Sequence, residues 1–124
     1  MSCLFCDLLK EEEKIVFQND SFYVIYDNFP VNIGHCLLIS KRHVESYFSL
    51  TEEEIKDLNK ALVYMKNLLE KLYNPDGYNI GINDNLAAGQ TIMHLHVHLI
   101  PRYFGDVDDP KGGVRGVIPS KQKY

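Results

Sequence analysis

The sequence predicts an α+β fold, an antiparallel sheet with one long helix packed on one face. Three observations lead there. Short apolar runs separated by turn residues read as strands. One long stretch carries an apolar stripe at helical spacing. The resulting order, β-β-β-α-β-β, implies few parallel crossovers.

Each element has a local reason. "IVFQNDSFYVIYD" (15–27) reads as two short strands around the turn residues Asn19, Asp20 and Ser21. "NFPVNIGH" (28–35) is a loop marked by Pro30 and Gly34, and "HCLLIS" (35–40) is apolar enough for a buried strand. "SLTEEEIKDLNKALVYMKNLLEKLY" (49–73) is the long helix. Thr51 and Glu54 have the spacing of a capping box, and three glutamates in the first turn suit the helix dipole. Ile55, Leu58, Leu62, Met65, Leu69 and Leu72 recur at steps of three and four, an apolar face suited to the core, and "NPDG" (74–77) ends the run. "YNIGIN" (78–83) is a further strand, "NLAAGQ" (85–90) a loop, and "TIMHLHVHLI" (91–100) the last strand, stopped or bordered by Pro101. Residues 102–124, rich in Gly, Pro and charge, read as an extended tail that needs a surface to lie on.

A chain of 124 residues fits one domain spanning 1–124, and its 45% apolar and 24% charged composition suits a soluble globular protein. The net charge of −4 argues against an extended nucleic-acid surface, which needs a basic face. No apolar run approaches the ~20 residues of a membrane span. The acidic N-terminal stretch lacks the basic start of a signal peptide, so a cytoplasmic location is expected. Three cysteines then read as thiols or metal ligands rather than a disulfide framework.

Three of the five histidines, His94, His96 and His98, stand at alternate positions of one predicted strand and share a face, with Leu95, Val97 and Leu99 on the other. One metal held by all three is disfavoured, because the outer Cα atoms of an extended strand lie about 13 Å apart. Nucleophilic catalysis fits better. Neutral imidazole attacks phosphorus, a partner on its other nitrogen fixes the tautomer, and a neighbouring ring can serve the leaving group. The middle histidine is the natural nucleophile. Directly before the strand, "AAGQT" supplies Gly89 for close backbone approach, with the Gln90 amide and Thr91 hydroxyl beside it. At the other end of the chain, "CLFC" places Cys3 and Cys6 in a Cys-x-x-Cys spacing. A redox pair, two buried thiols and a zinc site needing two more ligands all compete there. Cys36, inside an apolar strand, reads as a core thiol.

"HLHVHLI", with "AGQT" before it and "NFPVNIGHCLLISKRHVESYFSLT" upstream, resembles the signature of the histidine-triad family over most of the chain. The tail "PRYFGDVDDPKGGVRGVIP" is similar to members described as diadenosine tetraphosphate hydrolase-like. The resemblance implies a homodimer in which two antiparallel sheets join, and attack on the α-phosphorus of a purine nucleotide through a nucleotidyl-histidine intermediate. It implies His96 as nucleophile and His98 at the phosphate and leaving group. Gly89, Gln90, Thr91 and Asn83 fall around the phosphates, Asp27 at the ribose, Phe5 beside the base, and His35 in support. It also completes a structural zinc site from Cys3, Cys6, His43 and His94. Dinucleoside polyphosphates are the leading substrates. A nucleoside phosphoramidase and a nucleotide-binding module with little turnover stay open as rivals. Arg115 could reach a phosphate or a surface acid.

Overall fold

Thr51 starts the long helix as the sequence predicts. Its hydroxyl accepts from the Glu54 amide, and the Glu54 carboxylate accepts from the Thr51 amide. In the computed structural model, which describes residues 2–124, the helices are α1 (Leu4–Leu8) and α2 (Glu52–Tyr73). The strands are β1 (Phe17–Gln18), β2 (Phe22–Tyr26), β3 (Cys36–Ser40), β4 (Gly77–Gly81) and β5 (His96–Arg102). Asn74 closes α2 in the left-handed region at φ 49°, and Pro75 follows it.

Among the described residues the strands form one antiparallel sheet in the order β1-β2-β3-β5-β4. Period-2 alternation divides its side chains between two layers. Phe22, Val24, Cys36, Leu38, Val97 and Leu99 meet Leu58, Ala61, Met65 and Leu69 of α2. The opposite face places Tyr23, Ile25, Leu37 and Ile39 beneath Phe5 and Leu8 of α1. Strands β2 and β3 are thus covered on both faces, which explains why "HCLLIS" is continuously apolar. Of the predicted helix stripe, the middle enters the core, whereas Ile55 and Leu72 at its ends are exposed.

Two boundaries differ from the sequence reading. His94 and Leu95 precede β5 rather than lie within it: His94 sits in a turn whose amide bonds the Ile92 carbonyl. Pro101 lies inside β5, opposite Tyr78. Its missing N–H does no harm there, because Arg102 bonds toward β4 and Pro101 faces the other side, beyond the end of β3. The Pro101 carbonyl accepts instead from Asn32 Nδ2 at 3.1 Å.

The tail is turned rather than extended. Arg102 pairs with Asp106 at 2.7 Å, and short 3-10 turns follow at Gly113–Val117 and Pro119–Lys121. Arg115 pairs with no acid among the described residues: it donates to the Lys121 and Gln122 carbonyls at 3.0 and 3.3 Å and so closes the tail on itself. Among the described residues no helix is long and apolar enough to cross a membrane.

Candidate functional site

The face of the sheet opposite α2 carries the histidines. Register places His96 opposite Ile39 and His98 opposite Leu37, both of that layer. Gly34 admits the chain to this face. Its φ is +92°, and a Cβ there would stand 3.0–3.1 Å from Leu69, Pro101 and Tyr73, so only glycine fits directly before His35.

The hydrogen bonds fix one tautomer for each ring. The His94 Nε2–H donates to the Ser40 carbonyl at 2.7 Å, leaving Nδ1 as a lone pair. The His96 Nδ1–H donates to the His94 carbonyl at 2.8 Å, leaving Nε2 as a lone pair. The Val31 amide donates to His35 Nδ1 at 3.0 Å, so His35 carries its proton on Nε2. That proton is given to His98 Nδ1 at 3.0 Å, which places the His98 proton on Nε2. His96 is therefore ready to attack, and His98 ready to donate. Burial pushes His98 below the ordinary histidine range, helped by His96 and His35 and opposed by Asp27. Burial also lowers His35, again against Asp27.

The two rings border a cavity of about 320 Å³ lined also by Phe5, Asp27, Leu37 and Ile92. Phe5 is buried, with its ring centroid 4.9 Å from that of His96 and 5.9 Å from that of His94. Asp27 Oδ1 accepts from the Phe29 amide at 2.8 Å, and Oδ2 lies 3.5 Å from His35 Nε2. Gly89 adopts φ +96° with open space where a Cβ would stand. Thr91 and Asn83 are exposed. Gln90 turns inward. Its Oε1 accepts from the Asn85 amide at 2.7 Å, and its Nε2 donates to the Glu45 and Ile92 carbonyls. It pins the loop; Thr91 lines the neighbouring cavity beside Cys3 and Cys6, and Asn83, Gly89, Gln90 and Thr91 do not line the 320 Å³ cavity.

A second constellation adjoins the first. His94 Nδ1 lies 3.3 Å from Cys3 Sγ, 3.6 Å from Cys6 Sγ and 3.1 Å from His43 Nδ1, with Cys6 Sγ 3.3 Å from His43 Nδ1. A zinc tetrahedron with two sulfurs and two nitrogens has edges of about 3.3–3.8 Å, so the donor set fits that ion in number, type and spacing. The Ser40 carbonyl on His94 Nε2 is the outer partner that orients a ligating imidazole. Asp27, His35 and His98 also cluster. There, however, the His35 Nε2 proton already bridges to His98.

The residues that the sequence did not disclose are backbone or remote: the Ser40 and His94 carbonyls, the Val31 amide, and Tyr23, whose hydroxyl donates to the Phe5 carbonyl. Of these only Tyr23, a polar tip on a buried strand, carried a signal.

A histidine row on the open face of an antiparallel sheet, backed by one long helix, defines a histidine-triad protein. The HIT domain family matches residues 9–105, and the chain belongs to it. An uncharacterised HIT-like protein of Methanocaldococcus jannaschii is 35% identical over 113 residues, 90% of this chain and 87% of that protein. A Schizosaccharomyces pombe bis(5'-nucleosyl)-tetraphosphatase (asymmetrical) is 39% identical over 80 residues, 64% of this chain and 44% of that protein. The crystal structure of a Zn-bound histidine triad family protein from Mycobacterium smegmatis matches with a TM-score of 0.75 at 32% identity, covering 86% of this chain and 78% of that one.

Proposed function

We propose that the chain hydrolyses dinucleoside polyphosphates by nucleophilic attack of His96 on the α-phosphorus. The observation that carries this reading is the tautomer order. His96 offers a bare Nε2, and His98 beside it offers an Nε2–H. The Nε2–P bond forms as the P–O bond to the leaving polyphosphate breaks. The imidazolium so formed keeps its Nδ1–H on the His94 carbonyl, which stabilises the positive charge. The His98 Nε2–H donates a hydrogen bond to the departing oxygen. Water then attacks phosphorus, the N–P bond breaks, a proton leaves to solvent and His96 is restored. Asp27 suits ribose hydroxyls, Phe5 the base, and the loop at Asn83, Gly89, Gln90 and Thr91 the phosphates, with Gln90 shaping the loop.

A polyphosphate departs as an anion that the His98 Nε2–H can serve with a hydrogen bond, whereas an amine leaving group must also receive a proton. A structural zinc on Cys3, Cys6, His43 and His94 completes the reading; when bound, it ties the N-terminal segment to the turn carrying His94. The exposed edge of β4, with Ile80, is the surface offered to a second copy in a homodimer.

The test is product analysis with diadenosine tetraphosphate beside an adenosine phosphoramidate, each with His96→Ala as control. AMP plus ATP from the first substrate, abolished in the variant while nucleotide binding persists, is the expected result. Normal turnover by His96→Ala removes the nucleophile assignment. Cleavage of the phosphoramidate alone transfers the reading to that substrate class.

A further inference from the structure

The cysteine pair lies beside the nucleophile and opens to solvent. Cys3 is the N-cap of α1 and Cys6 the third residue inside it, so both sulfurs leave the first turn on one side and converge on His94 Nδ1. Their outer side borders a cavity of about 790 Å³ shared with Lys10, His43 and Thr91, wide enough to admit a small oxidant. The third thiol is out of reach: Cys36 is fully buried beneath α2, and burial pushes it up to about 12. Any two-electron oxidation of this protein's thiols is therefore directed to Cys3 and Cys6.

Two connections run from this pair to the catalytic ring. Phe5, between the two cysteines in sequence, packs its ring against both His94 and His96 and lines the nucleotide cavity. The carbonyl of His94, whose ring faces the sulfurs, accepts the Nδ1–H of His96. A change in how Cys3 and Cys6 are held reaches the nucleophile through a side chain and through a hydrogen bond.

We infer that Cys3 and Cys6 are a peroxide-sensitive modification site whose disulfide releases zinc and loosens the nucleotide pocket. The inference rests on the zinc reading above for its reduced state. In that state both sulfurs are metal-bound thiolates, which are nucleophiles. One thiolate attacks hydrogen peroxide and becomes a sulfenic acid; the second attacks that sulfur, and the S–S bond forms. Two thiolates, one peroxide and two protons give one disulfide and two waters, and the zinc ion leaves to solvent. The sulfurs, which lie within 4.8 Å of each other, must close to about 2.05 Å. They then no longer hold His94 Nδ1 and His43, and the wall formed by Phe5 is left with its packing and the Tyr23 hydrogen bond alone. Reduction by a dithiol in the presence of zinc reverses both steps.

The experiment uses the full reduced chain, with its zinc content measured first. Hydrogen peroxide is added in steps while a chromogenic chelator reports free zinc, peptide mass mapping reports the Cys3–Cys6 link, and a fluorescent AMP analogue reports affinity. The expected result is one zinc released per disulfide formed, at least a tenfold loss of AMP-analogue affinity, and recovery with dithiothreitol plus zinc. Zinc-loaded protein whose thiols survive peroxide, or a disulfide that leaves the affinity unchanged, overturns the inference. Protein that holds no zinc refutes the metal reading alone. In that case a disulfide with weakened binding supports the thiol site, and its absence overturns it.

Discussion

Replacing Glu54 with glutamine tests how the turn carrying His43 is held. Both carboxylate oxygens of Glu54 receive Arg42, from Nη2 at 2.7 Å and Nε at 3.1 Å, and Oε1 also accepts the Thr51 amide at 2.9 Å. Arg42 adjoins His43, so this fork ties the proposed zinc ligand to the first turn of α2. The Arg42 hydrogen bonds are the main cause that holds the Glu54 carboxyl at about 2, against an ordinary 4.5; burial opposes them. By linkage a displacement of that size is worth at most ~3 kcal/mol at neutral pH. Arg42 is half exposed, and solvent screening reduces the figure to about 1–2 kcal/mol. Glutamine can still accept the Thr51 amide, so Glu54→Gln removes the charge and spares the cap. Because the folded value is depressed, the stabilisation is complete above the unfolded value and is lost as pH falls through about 2. Urea unfolding of both proteins in chelator at pH 7 should show the variant's midpoint lower by roughly 0.5–1 M. At pH 3 roughly half or more of that difference should be gone. A variant within ~0.5 kcal/mol of the parent at pH 7, or an equal difference at both pH values, would refute the reasoning.

Further outcomes follow from the same geometry. His35→Asn removes the donor that fixes the His98 tautomer; kcat should drop roughly tenfold to a hundredfold with KM little changed, and a rise in KM alone would assign His35 to binding. A proton NMR titration of the His98 ring should give a midpoint below the ordinary histidine value of 6.5, because burial disfavours its charged form; a midpoint above 6.5 contradicts this. Leu69→Ala, at a fully buried site beneath the sheet, should cost about 2–5 kcal/mol in denaturant unfolding, and a cost under ~1 kcal/mol would mean that the site collapses freely. On the zinc reading, dialysis of the purified protein against a chelator should lower the unfolding temperature by roughly 10 °C or more, as scanning calorimetry would record. An unchanged Tm in protein shown to have lost its metal would make the ion dispensable for the fold.

The parts of this structure that were legible in the sequence are those set by near neighbours in the chain. The capping box at Thr51 and Glu54 needs only residues three apart, and the α2 stripe only steps of three and four. The alternation of His96 and His98 with Val97 and Leu99 is a property of one strand, and it divides the sheet into a core face and a chemical face as expected. Departures begin where a partner lies far away in sequence. Gln90 and a ligand-binding amide are the same chemical group; the Glu45 carbonyl, 45 residues away, decides which it is. Arg115 reads in the sequence as a cation for a phosphate or a surface acid; its hydrogen bonds go to two tail carbonyls that only the folded tail brings to it.

The same division explains the histidine row. Its residue types are plain in "HLHVHLI", but the chemistry depends on which nitrogen of each ring carries the proton. That is set by three backbone groups with no sequence signature: the Ser40 carbonyl, the His94 carbonyl and the Val31 amide. Each lies where β3, the turn before β5 and the loop before His35 come together, so the fold, through its backbone, places the ring proton on Nε2 of His94 and His98 and on Nδ1 of His96. An isolated strand of the same sequence would leave every ring free to exchange tautomers. The long helix reaches this region through Gly34: a Cβ there would stand 3.0–3.1 Å from Leu69, Tyr73 and Pro101, at a φ of +92° that side chains rarely adopt, so the packing of the core face favours glycine at the entry to His35.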